Sequence, residues 1–196
     1  MPRSEHLADL YHWQTAEAFR TAADAEGNRL QTAMVTGHHS NVREAFVAAR
    51  FAPLAYPGRL IRLVANDPPD FELGPAPVVG FEVAEALEPG RRRGDEYRTD
   101  APGYQLLGDE RLHPDNTVKV VKASLGAIAL KKAAKAYDPA TRLVVYLNIT
   151  TAFTAEGRVL DAARDALRPA AIRFVEIWLY WKGAVFRIHP ERLSQA

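Results

Sequence analysis

The chain has 196 residues, 47% of them hydrophobic, and no cysteine, which is the size of one domain and excludes disulfides, thiolate metal sites and cysteine nucleophiles. Its 25 basic residues nearly balance 24 acidic ones, so a net charge of +1 offers no global attraction to nucleic acid or membrane, and any nucleic-acid surface must be local. The opening MPRSEHLADLYHW lacks the apolar core of a signal peptide, and no apolar run approaches the ~20 residues that span a bilayer, so a soluble, cytoplasmic protein without a membrane partner is expected.

Leu7, Leu10, Tyr11, Ala18, Phe19 and Ala22 recur at helical spacing behind Ser4 and Glu5, and predict an amphipathic helix over 5–25. The polar run Gly37-His38-His39-Ser40-Asn41 interrupts that pattern. Asn41 is placed to cap a second helix carrying Val42, Phe46, Val47 and Ala49, which Pro53, Pro57 and Gly58 end. A strand follows over 59–66 (RLIRLVAN), then Asp67-Pro68-Pro69-Asp70 bends the chain into a short strand over 70–73. Gly74-Pro75-Ala76-Pro77 is a turn. In the next strand, 78–86 (VVGFEVAEA), the two-residue pleat puts Val79, Phe81 and Val83 on one face and Gly80, Glu82 and Ala84 on the other.

Residues 88–116, rich in Gly, Pro and charge, read as a long loop. The span 117–137 is the clearest helix, with Val118, Val121, Leu125, Ile128 and Ala129 as its apolar stripe and Asp138-Pro139 as its stop. The continuous apolar run at 143–149 predicts a strand buried on both faces, 156–168 a helix, and 172–180 with 184–188 a hairpin turned at Trp181-Lys182-Gly183. Strand 143–149, helix 156–168 and the strand after it make a βαβ unit, whose two strands run parallel. The expected fold is one α/β domain over 1–196, a single mixed sheet flanked by helices.

The chemistry concentrates at Pro69-Asp70 and at Glu82, twelve positions later, on strands joined by a tight turn that returns the second carboxylate toward the first. Two converging carboxylates suit Mg²⁺ or Mn²⁺, completed by waters and phosphate oxygens. Pro69-Asp70 followed by Glu82-x-Ala84 on the next strand, with a helix before and a helix then a strand after, resembles the PD-(D/E)XK nuclease-like (restriction-endonuclease-like) superfamily. The resemblance covers about 41–149 and leaves the helix at 5–25 and the C-terminal hairpin as elaborations. It implies a restriction-endonuclease-like fold, Asp70 and Glu82 as metal ligands, and a Mg²⁺-dependent phosphodiesterase acting on DNA or RNA.

The family's lysine, two positions after the Glu, is here Ala84, a departure that bears on catalysis. Glu85 is a further candidate ligand where the strand bends or bulges. The helix over 117–137 carries five lysines and no acid. On a helical wheel centred on Leu125, Lys132 falls mid-stripe and Lys122 at the edge, so Lys122 is the candidate replacement, its stem able to reach over apolar surface toward a carboxylate. The alternative is a nuclease-like domain without catalysis that serves binding or assembly. Each group also has a plainer reading: Asp70 as a turn former, Glu82 as a sheet face toward water, Arg91-Arg92-Arg93 as a solvated triplet, His38-His39 as loop residues. Trp178, Tyr180 and Trp181 read as core or interface aromatics, and their hairpin as a candidate homodimer contact.

Overall fold

A computed structural model describes residues 8–29, 40–65, 68–91 and 113–190. Their longer elements are helices α1 (Ala16–Arg29), α2 (Ser40–Ala55), α3 (Pro114–Ala133) and α4 (Glu156–Leu167), and strands β1 (Leu60–Leu63), β2 (Phe71–Gly74), β3 (Val79–Leu87), β4 (Arg142–Asn148), β5 (Ile177–Trp181) and β6 (Ala184–His189). The class is α/β, and the six strands form one mixed sheet in the order β1-β2-β3-β4-β5-β6. Among the described residues the chain divides into two compact units, 8–83 with 182–185, and 84–91 with 113–181 and 186–190.

In the first unit β1, β2 and β3 form an antiparallel meander, with Leu63 opposite Phe71 and Phe71 opposite Phe81. That register stacks the Phe71 and Phe81 rings at 4.8 Å, and Phe51 of α2 meets both edge-on at 6.3 and 5.5 Å. The three rings are fully buried. Such aromatic contacts are worth about 0.5–1.5 kcal/mol each beyond the area they bury. Helix α2 runs two residues past Pro53, where the sequence predicts a stop, and Tyr56 just beyond it donates its N–H to the Ala52 carbonyl at 2.8 Å and meets the Phe51 and Phe81 rings at 6.2 and 5.5 Å.

The outer edge of β1 is paired by Gln14, whose N–H donates to the Ile61 carbonyl at 3.0 Å and whose carbonyl accepts from Ile61 N–H at 2.8 Å. Arg62 faces Glu72 across β1 and β2, with Nη2 2.7 Å from Oε2, and lies 4.5 Å above the Trp13 ring. The same indole lies against Gly74, where any Cβ would collide with it.

The second unit buries one apolar cluster. Ala84 and Ala86 of β3, with Leu143, Val145 and Leu147 of β4, pack against Val121, Leu125 and Ala129 of α3 and Val159, Ala163 and Leu167 of α4. Strands β4 and β5 are parallel, from Leu143 opposite Ile177 to Tyr146 opposite Tyr180, as the βαβ reading predicts. Helix α3 starts three residues before the predicted 117, because Pro114 takes the first helical position and His113 Nδ1 accepts the Asp115 N–H at 3.3 Å. Strand β5 starts at Ile177 instead of 172, because Pro169 opens a short 3₁₀ helix over Arg168–Ile172. The hairpin to β6 turns on Lys182 and Gly183, with φ of 50° and 76°, a pair of positive values that matches a two-residue turn to the strand twist. On the face of β4 and β5 away from the cluster, Glu176 accepts from Arg142 at 2.9 Å, Trp178 at 3.1 Å and Arg187 at 2.7 Å.

The close approach at Gly74 gives a direct test. Gly74→Ala is expected to destabilise the protein by about 1–3 kcal/mol through overpacking against Trp13, whereas Gly126→Ala, with open space at its Cβ, should be neutral or stabilising. Urea denaturation of the two variants measures the difference.

Candidate metal centre

Asp70 stands one residue before β2, where Pro68 and Pro69 have no N–H to offer a ladder. Its backbone is used on both sides: the N–H donates to the Phe81 carbonyl at 2.9 Å and the carbonyl accepts from Val64 N–H at 3.0 Å. The side chain then takes over from the backbone. Asp70 Oδ2 accepts the Val83 N–H at 2.7 Å, a charge-assisted bond in a buried setting. Asp70 is thereby fastened to the residues on either side of Glu82. Both acids are buried, with 7% and 4% of their surface exposed, so Glu82 does not face water and Asp70 is more than a turn former.

The two acids stand on neighbouring strands, Asp70 one residue before β2 and Glu82 within β3. Their oxygens are hard donors of the kind Mg²⁺ and Mn²⁺ prefer. Among the described residues no group of three or more His, Asp or Glu gathers as a complete metal cage.

The other predicted residues go elsewhere. Strand β3 runs unbroken from Val79 to Leu87, so Glu85, three residues after Glu82, points to the opposite face by the pleat. Its Oε1 accepts from the Asn148 side-chain amide at 2.9 Å. Ala84, at the lysine position, is buried in the apolar cluster of the second unit. Lys122 Nζ lies 3.0 Å from Asp165 Oδ2 of α4 in an exposed pair, which lowers the Asp165 carboxyl pKa through the hydrogen bond and charge of Lys122. Lys132 is the lysine that α3 buries, on the stripe of Val121, Leu125 and Ala129. His38, His39, Arg92 and Arg93 lie outside the described residues.

The sequence reading missed a polar network where β3 and β4 end. Glu88 Oε1 accepts the Thr150 N–H at 2.8 Å, Glu88 Oε2 pairs with Arg91 at 2.9 Å, and Arg91 also donates to the Asn148 carbonyl at 2.9 Å. Arg91 is thus committed to the fold. Burial alone would raise the Glu88 carboxyl pKa, but the Thr150 amide and Arg91 outweigh it and hold it below its ordinary 4.5. Nothing in the linear pattern marks these residues, because Glu88 and Thr150 are 62 positions apart.

No protein-family model matches the chain, and no curated protein or solved structure matches it.

Two measurements test these arrangements. Asp70→Ala leaves the buried Val83 N–H without its acceptor and is expected to cost about 2–3 kcal/mol, whereas Asp70→Asn keeps an oxygen there and costs about half as much. For Glu88, a depressed folded pKa means that its stabilisation is present above about pH 4.5 and is lost as pH falls through the lower folded value. Tm followed from pH 7 to pH 3 should fall less steeply on the acid side for Glu88→Gln than for the wild type.

Proposed function

We propose that the chain is a PD-(D/E)XK nuclease-like domain that holds Mg²⁺ or Mn²⁺ at Asp70 and Glu82 and hydrolyses phosphodiester bonds of nucleic acid. The observation that carries this reading is the fastening of Asp70 to β3 on both sides of Glu82, through the Phe81 carbonyl and the Val83 amide. The order α2, β1, β2, β3, α3, β4 is the helix, three strands, helix and strand that the resemblance requires, with the Asp at the head of the second strand and the Glu in the third. A bound Mg²⁺ supplies a polarised water and charge stabilisation on the phosphoryl oxygens. The chain's own part is to hold two carboxylates in place before substrate arrives: Asp70 by its Val83 bond, Glu82 by its place inside a regular strand.

Lys122, the lysine that the sequence reading offers to assist the water, is engaged with Asp165. A second reading, a nuclease-like binding or assembly module without catalysis, is favoured by Ala84 standing at the family's lysine position.

Millimolar Mg²⁺ or Mn²⁺ is expected to raise Tm, by an amount equivalent to about 2.7 kcal/mol at a hundredfold excess over Kd, and Glu82→Gln to abolish the shift. Labelled single- and double-stranded DNA and RNA should be cut by the wild type and left intact by Glu82→Gln. A metal-dependent Tm shift without cleavage of any of these substrates selects the second reading, and no shift at all overturns the metal centre.

A further inference from the structure

The chain closes one edge of its sheet and leaves the other open. Gln14 pairs the outer edge of β1 through both its N–H and its carbonyl. Strand β6 ends the sheet on the other side, and among the described residues no strand or bridge pairs its outer edge. An open edge presents a row of backbone donors and acceptors, which proteins ordinarily guard with lysine, proline or a bulge. Strand β6 reads AVFRIH and contains neither lysine nor proline. Its arginine does not serve as a guard, because Arg187 is drawn to Glu176 at 2.7 Å and lies 5.8 Å above the Trp178 ring. An unguarded edge rich in β-branched and aromatic residues is a surface onto which a further strand adds.

Beside that edge lies a groove of about 390 Å³, to which β6 contributes Ile188 and His189, and β5 and the 3₁₀ segment contribute Ile177 and Ala171. Its other wall is a ridge of α4, Asp161, Arg164, Asp165 and Arg168, which the helical period stacks on one side of the helix. Along the ridge Arg164 reaches Asp161 at 2.8 Å and Arg168 reaches Asp165 at 3.4 Å, with Lys122 also on Asp165. Pairs on a surface contribute little to the monomer, so their partners exchange at small cost. The order of signs says what fits against them. From Asp161 it runs acid, base, acid, base, and from Arg168 it runs base, acid, base, acid. A twofold axis turns the helix end for end, so each Asp of one copy faces an Arg of the other. A partner surface of a single sign would set half of these charges against their own kind.

We infer that the chain forms a twofold homodimer in which β6 pairs antiparallel with β6 of a second copy and the two α4 ridges meet across the groove, Asp to Arg. A twofold axis normal to the sheet makes the two edge strands antiparallel and keeps both helices on one face, so the two contacts form together. The sequence reading offers Trp178, Tyr180 and Trp181 for such a contact, but all three are buried, and the outer edge of β6 takes their place. The dimer uses neither Asp70 nor Glu82 and does not depend on the nuclease-like reading.

Sedimentation velocity of the full chain at about 1 to 100 μM is expected to show a monomer–dimer equilibrium. Arg164→Asp with Arg168→Asp makes the ridge wholly acidic, and Asp161→Arg with Asp165→Arg makes it wholly basic. Each double variant alone should dimerise at least about tenfold more weakly than the wild type. An equimolar mixture of the two should recover a heterodimer of about wild-type affinity, which a merely structural role of these residues would not produce. Hydrogen exchange at the β6 amides of the wild type should slow as its concentration rises. A wild type that stays monomeric throughout this range, a dimer that both double variants leave intact, or folded variants that do not associate on mixing overturns the proposal. So does a dimer whose β6 amides exchange as fast as those of the monomer, a measurement that needs no variant and decides the matter should either of them fail to fold.

Discussion

The bond from the Val83 amide to the Asp70 carboxylate, at 2.7 Å, does in this sheet what a backbone carbonyl would do in a regular ladder. The paired register of β2 with β3 ends at Phe71 and Phe81, so the Val83 N–H, two residues further along β3, takes a side-chain acceptor in place of a ladder carbonyl. A side-chain acceptor satisfies the orphaned N–H, and a charged one does so about twice as strongly as a neutral one. The consequence is chemical as well as structural. The same carboxylate is tied to the residue after Glu82, so the place of Asp70 against β3 follows from a backbone hydrogen-bonding requirement.

On this foundation the two units contribute different things. The first uses three stacked and edge-on phenylalanines to hold β2 and β3 in register, and register decides which residue of β3 stands beside Asp70. A slip by one residue would put Val83 where Glu82 is. The second unit closes an apolar cluster over Ala84 and Ala86, small side chains that let α3 lie close to the strand. Ala84 therefore has a packing role at the position where the resemblance expects a lysine. The one lysine α3 buries is on its sheet-facing stripe, so the helix carries a charge where apolar packing alone would place a leucine or alanine.

The ends of β3 and β4 are built on polar bonds. Glu88 bridges the Thr150 amide and Arg91, and Arg91 reaches on to the Asn148 carbonyl, so the chain leaving β4 is fixed before it turns. Thr151 is held by a buried tryptophan N–H immediately afterwards. A positive φ at a bulky residue persists only when its surroundings over-determine it, and these bonds supply that constraint around Phe153. The rigidity of the turn is thus a property of bonds made by its neighbours, while the ring itself makes the fold no more stable.

Much of this was legible in the linear order of residues. Period-two alternation in VVGFEVAEA placed Glu82 and Ala84 on one face, the continuous run at 143–149 marked a buried parallel strand, and the Gly-Pro turn joined the two strands that carry the acids. These are local consequences of side-chain period and backbone sterics, so sequence by itself determines them. Tertiary structure decided what depends on partners distant in the chain. Lys122, at the edge of its stripe, was drawn to Asp165 on α4, 43 positions away, and Glu85 was drawn to Asn148. Helix α2 continued past Pro53 into Tyr56, which had the Phe51 and Phe81 rings to meet. Charged and aromatic side chains settle on whichever partner packing brings within reach, and that reach is set by the three-dimensional neighbourhood, which periodicity does not encode.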